Sequence, residues 1–289
     1  MNTAILKEGL DRLYDRYNHR RFVDPDPLVF LYDYKDLRDR EVAGLVASSL
    51  AFGGVRQIMA SVGKVLGRKG HTPSSILLEH TAPAMAEIIT DIRNRWATGS
   101  ELAGMLGGIK WTLENYGSVE NAFISCSDEG DEDVLPGLAG LAGILYERSP
   151  GRIDCLVPAP TRGSACKRLN LFLRWMVRED EVDPGGWNNV SRSKLLIPLD
   201  VHMHRFARSL GLTARSQGDM RTAKEVTEGL RTLDREDPVR YDFAISRLGI
   251  RRDEDRDIML SKLGLVSGEK GSIESRYCQG DGTPDSVER

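Results

Sequence analysis

Two segments of the 289-residue chain put residues able to do chemistry at informative spacings. The first, PAPTRGSACKRLNLFLRWMVR from Pro158 to Arg178, opens with the turn formers Pro158, Pro160 and Gly163 and continues as an amphipathic helix. Leu169, Phe172, Leu173 and Met176 recur at helical spacing and make its apolar stripe. Arg162, Lys167, Arg168, Arg174 and Arg178 are basic, and no acid lies between the first and the last of them. Such a turn presents backbone N–H groups, and a helix start adds positive partial charge, so the element can hold a phosphate. Lys167 falls in the first turn of that helix. As a free amine, a lysine is a nucleophile toward an electrophilic carbon; its ordinary reading is a solvated helix start.

The second segment, SKLLIPLDVHMHRFARSLGLT, runs from Ser193 to Thr213. Pro198 and Asp200 stop an apolar run, and Asp200 is placed to cap a helix beginning near Val201. A metal site at Asp200, His202 and His204 is the rival reading. Helix residues two apart point about 200° from each other, so His202 cannot share a face with both of the others. No further His or Cys cluster completes a ligand set.

PLDVHMHRFARSLGL resembles the Asp-Thr-His-Val-x-Arg…Leu-Gly signature of the helix-hairpin-helix (HhH-GPD) base-excision DNA glycosylases. Upstream, GSACKRLNLFLRW is similar to their hairpin and following helix, which opens with the catalytic lysine. The resemblance implies Lys167 as nucleophile and Asp200 as essential carboxylate, with no cofactor and no metal. The separation of these two residues is closest to that of archaeal 8-oxoguanine glycosylases, whose lysine-bearing helix is also the most similar. One departure stands out: Pro160-Thr-Arg-Gly-Ser164 replaces the usual Leu-Pro-Gly-Val-Gly hairpin. Arg162, Gly163, Ser164, Arg168, Arg174 and His202 are the expected DNA contacts, and Arg178 suits the same phosphate face. LVASSLAFGGVRQI, Leu45 to Ile58, is similar to the helix that lines the base pocket in that superfamily. Ser48, Phe52 and Gly53 are the pocket candidates there, joined by Leu171 and Trp175. Trp187 and Tyr241 are further stacking candidates, and Gly53-Gly54 marks either a roomier pocket or a kink. The chain also resembles a bacterial family carrying CKRLNxFLRWMVR, PLDxHxxR and DPVxYDFAxxxxGI, over residues 20–252, which names no reaction.

The superfamily resemblance implies a DNA glycosylase with associated AP lyase activity on double-stranded DNA. An oxidised purine is one implied substrate, in DNA repair. A bulky enzymatically modified base of phage DNA is the other, in antiviral defence. The altered hairpin leaves open a non-catalytic nucleic-acid-binding protein that keeps the fold.

The elements that must position these residues read as helix almost throughout. Apolar residues keep one face over Leu6–Tyr14, Val42–Leu50 and Ile58–Leu66, with Gly53-Gly54 breaking the second from the third. Further helices are expected over Glu101–Tyr116, Leu138–Arg148, Ala165–Arg178, Val201–Leu210, Arg221–Leu233 and Val239–Leu248. No pair of alternating runs flanks a hairpin signal. The expectation is an all-α, two-lobed helical bundle of the glycosylase type over residues 1–267. The acidic segment 127–137 reads as a mobile loop and 268–289 as a flexible tail. Lysine and arginine number 40 against 43 acids, a net charge of −3, so no uniformly basic coat exists although a local basic face can. No apolar run approaches the roughly 18 residues of a membrane span, and the charged N-terminus does not suit a secretory signal. Cys126, Cys155, Cys166 and Cys278 form no CxxC pair and read as reduced thiols. A cytoplasmic monomer is expected.

Overall fold

In the computed structural model, which describes residues 3–67, 72–89, 92 and 97–250, every one of these periodic stretches becomes helix and no strand forms. The chain is all-α, as expected. Its α-helices in order are α1 (Thr3–Tyr17), α2 (Leu37–Ser49), α3 (Val55–Leu66), α4 (Pro73–Glu79), α5 (Ala82–Ile89) and α6 (Gly99–Tyr116). They continue with α7 (Val119–Ile124), α8 (Leu135–Arg148), α9 (Lys167–Val177), α10 (Val201–Ser209), α11 (Met220–Arg231) and α12 (Asp242–Ile250). The expected tail lies outside the described residues. No described helix is long and apolar enough to cross a membrane.

Local chemistry sets the boundaries. Asp36 caps α2, and Thr98 with Glu101 forms a capping box at α6. Gly53, at φ 94°, separates α2 from α3, which starts without a side-chain cap at Gly54. The pair therefore marks a helix break. The short helices α4, α5 and α7 escape a periodicity reading, since about two turns give too short a stripe to follow. The last expected helix starts late, at Asp242, because residues 237–241 form turns closed by Arg240 N–H to Asp237 O and Asp242 N–H to Val239 O.

Around α6 lie α4, α5, α7 and α8, while α2 packs on α9, α10 on α12 and α12 on α1. Gly44 permits the α2–α9 approach: a Cβ there would meet the Phe172 ring at 3.1 Å. One continuous buried apolar cluster joins these elements from Leu6 to Leu248. Trp175, Trp187 and Tyr241 lie inside it, which removes all three as base-stacking candidates. The acidic stretch 127–137 makes contacts at its C-terminal end. Val134 is buried with its N–H on Lys194 O, Asp133 pairs with Lys224 at 2.8 Å, and from Leu135 the chain is already α8.

Candidate active site

The hairpin before α9 is built from little. Residues Pro160–Arg162 make one 3₁₀ turn, and Gly163 follows in the left-handed region at φ 78°. Gly163 O accepts from Met220 N–H at 3.1 Å and Ser164 bridges to Asp219, so the turn is braced against the start of α11. Asp219 caps that helix and also takes the Arg215 guanidinium at 2.6 Å. The segment ahead of the turn is thus a single short turn of helix.

Cys166 then adopts φ 48°, the one non-glycine residue with positive φ among the described residues. For an L-residue that conformation costs roughly 1–2 kcal/mol and tends to persist where surrounding structure enforces it, often at functional sites. The thiol is buried, and the Cys166 N–H donates to Ser164 Oγ at 3.2 Å. Because Cys166 supplies no side-chain cap, the first turn of α9 begins uncapped at Lys167.

Opposite stands the start of α10. Asp200 Oδ1 accepts from Met203 N–H at 2.7 Å, which is the expected cap. Its other oxygen, Oδ2, lies 3.4 Å from Lys167 Nζ. Both side chains remain partly open to solvent, 36% for Lys167 and 26% for Asp200. Two helix N-termini therefore converge on one lysine. A cation belongs at the other end of a helix dipole, so this placement is not one that helix stability favours.

An open cleft of about 580 Å³ lies against Lys167, walled by Phe52, Arg162, Gly163, Ser164 and Asp219 among others, with Leu199 its nearest approach along the chain to Asp200. That falls within the roughly 300–1,000 Å³ typical of ligand pockets. Phe52 lines the cleft, and its ring carries the Arg168 guanidinium 4.8 Å from its centroid. Gly53 is exposed beside it. Arg162 is exposed and pairs with Asp154 at 3.0 Å, and His202 is exposed on the first turn of α10. His204 Nε2 lies 3.0 Å from Arg215 O.

Other expectations fail here. Ser48 is fully buried, its hydroxyl donating to Leu45 O, and Leu171 packs against the core, so neither presents a pocket surface beside Lys167. Trp175 lies wholly in the core. Arg168 lines the cleft but spends its guanidinium on Ser49 O at 2.7 Å and Cys155 O at 2.6 Å, a structural tie between α9, α2 and the 155 loop. Arg174 and Arg178 are no phosphate face. Arg174, 3% exposed, holds Asp183 at 3.1 Å and also Asp242. Arg178 grips Asp237 at 3.0 Å, Asp180 at 2.8 Å and Asp183. Burial works against both guanidinium charges, and the surrounding carboxylates overcome it and hold both groups above their ordinary range.

This network is the structural content of the sequence motif around Asp237 and Asp242, which a reading by function leaves unexplained. It puts two charged rungs on one side of α9, since Lys167 and Arg174 are two turns apart. Lys167 meets the aspartate that starts α10, and Arg174 meets the aspartate that starts α12. No local sequence pattern marks the roles of Asp183 and Asp219 or the left-handed turn at Cys166.

The chain matches the family described as a protein of unknown function, DUF2400, over residues 26–251. It belongs to that family. The DUF2400 match takes in the hairpin, Lys167, Asp200 and the buried arginine network, and it agrees with the span over which the quoted motifs run. No curated protein and no solved structure matches the chain. The likeness to helix-hairpin-helix glycosylases therefore rests on the residues that carry it.

Proposed function

We propose that this DUF2400 protein is a DNA glycosylase of helix-hairpin-helix type with associated AP lyase activity. One observation carries the reading: a lysine and an aspartate, read from separate motifs, meet 3.4 Å apart at two converging helix N-termini, and the lysine lines an open cleft. Cleaving an N-glycosidic bond develops positive charge on the sugar, which the Asp200 carboxylate stabilises. The free amine of Lys167 attacks C1′, and the base leaves with the bonding electron pair and takes up the proton that Asp200 has drawn from the lysine. Asp200 is near enough to take the lysine proton once substrate closes the site; such contacts are often long without substrate. Loss of the sugar ring oxygen bond gives a Schiff base, from which elimination breaks the strand. A base inside a duplex must first be flipped out, and Phe52, its ring already carrying the Arg168 guanidinium, lines the cleft beside Lys167.

The substrate class is an oxidised purine or a bulky enzymatically modified base. The test is incubation with duplexes carrying a panel of oxidised and bulky modified bases, read as free base and as cleaved strand. Release of a base with strand cleavage supports the proposal. Tight duplex binding with no base released from any member would replace it with a non-catalytic clamp.

A further inference from the structure

The basic segment from Arg162 to Arg178 loses most of its free charge on folding. Arg174 and Arg178 are buried among carboxylates, and Arg168 is bound to two carbonyls. Lys167 faces Asp200, and Arg162 faces Asp154. A polyanion approaching the cleft needs cations from elsewhere, and α10 has them. Met203, Phe206 and Ala207 turn inward, while Val201, His202, Arg205 and Arg208 are exposed. At about 100° and 1.5 Å per residue, these four occupy an arc of roughly 120° and run about 10 Å along the axis. No acid occurs in the helix, VHMHRFARS. Arg205 and Arg208 are neighbours at i,i+3, and neither has an ion pair or side-chain hydrogen bond among the described residues.

Like charges at that spacing repel modestly, and neither arginine has a carboxylate to offset this. Arg215, Arg231, Arg240 and Arg247 are paired, with Asp219, Glu228, Asp234 and Asp26 respectively, so they offer less free charge than the two on α10. The stripe starts at Val201, next in the chain to Asp200, so one end of it lies beside the Lys167–Asp200 pair. Val201, 70% exposed and the most exposed large apolar side chain described, stands at the site end of the same face. We infer that the solvent face of α10 is a track for the phosphate backbone of the nucleic acid whose nucleotide enters the Lys167–Asp200 cleft. This rests on the reading of that cleft as a DNA-processing site. A strip one helix wide that starts beside Asp200 fits a strand of phosphodiesters better than a broad membrane surface.

The test uses the full chain with Arg205→Gln and Arg208→Gln together. Duplex affinity is measured by fluorescence anisotropy across a salt series. Each lost phosphate contact removes about 0.9 from the slope of log affinity against log salt, so the slope should flatten by about 2. Affinity near 0.1 M salt should fall about tenfold or more, with an unchanged melting temperature. Lys35→Gln with Arg38→Gln, exposed residues at the start of α2, removes the same charge and should leave the slope as in wild type. Wild type that binds duplex while the α10 variant keeps its slope would overturn the track, whatever the enzyme does to the base. Equal flattening in both variants would overturn it too, as a mere net-charge effect. Wild type that binds along α10 yet releases no base would leave the track standing and remove the glycosylase reading.

Discussion

Replacing Asp200 by Asn separates two roles that one side chain holds. Oδ1 caps α10 at 2.7 Å from Met203 N, and Oδ2 faces Lys167 Nζ at 3.4 Å. Asparagine caps a helix about as well as aspartate, so the first role survives. The second loses its charge. At this separation two unit charges interact by about 1 kcal/mol in a water-like medium and by about 5 kcal/mol at an effective dielectric near 20. With both side chains partly exposed the resting pair lies toward the weaker limit, and its net worth to folding is about 0–1 kcal/mol. The melting temperature should therefore move by no more than about 3 °C. When substrate fills the cleft and expels water, the same carboxylate faces a developing sugar cation in a drier site. Loss of one such electrostatic contact typically costs about 10²–10³ in rate, or roughly 3–4 kcal/mol. Melting temperature, duplex affinity and single-turnover base release are to be measured on both proteins. Near-normal stability and binding with base release down a hundredfold or more is the expected result. Unchanged release at unchanged stability would show that Asp200 is only a cap and would refute the reasoning.

The remaining predictions concern the frame around the site. Burial pushes Glu41 up to about 7 even though it accepts from Val119 N–H, Glu120 N–H and Trp187 Nε1–H. Its folded value lies above the ordinary 4.5, so the stability tied to its proton is full below that pH and is lost as pH rises through about 7. Urea denaturation of Glu41→Gln between those limits should give a flatter pH dependence than wild type, by up to about 1.4 kcal/mol per pH unit, and parallel curves would contradict it. Arg174→Met leaves Asp242 without its partner and should cost about 3–5 kcal/mol, read in denaturant, while the salt slope of duplex binding stays as in wild type. A flattened slope with intact stability would restore Arg174 to a phosphate face. Gly163→Ala should cost about 1 kcal/mol in the same assay through its φ of 78° alone, since a Cβ there meets no atom within 4 Å. No loss would mean that the hairpin relaxes freely.

The helical class is legible because α1, α3, α9, α10 and α11 carry apolar residues on one face over two turns or more, and α2, α6, α8 and α12 repeat them at helical spacing even though α2 is buried all round from Glu41 to Ser49. The remaining helices, α4, α5 and α7, are placed by caps at Thr72 and Ser118 and by packing on α6, which periodicity does not encode. Lys167 and Asp200 are legible one at a time, from a basic helix start and a helix cap. Their meeting is not, since it depends on α10 packing on α12 and on Arg174 tying α9 to Asp242. The same ties explain why Arg168, Arg174 and Arg178 mislead. An acid-free stretch says nothing about the aspartates at 180, 183, 237 and 242 that the fold brings to it. Arg205 and Arg208 draw no notice for the opposite reason: only the folded chain shows that nothing pairs them.

The central claim is that Lys167 is a nucleophile, and covalent capture tests it most directly. A duplex carrying an abasic site offers an aldehyde at C1′ whatever base the enzyme prefers. Lysine and aldehyde condense to an imine with loss of water, and borohydride reduces the imine to a stable amine. Wild type treated this way should yield a protein–DNA adduct that peptide mapping assigns to Lys167, and Lys167→Gln, with its fold intact by circular dichroism, should yield almost none. An adduct of wild-type intensity in the variant, or one mapped to another lysine, would contradict the account.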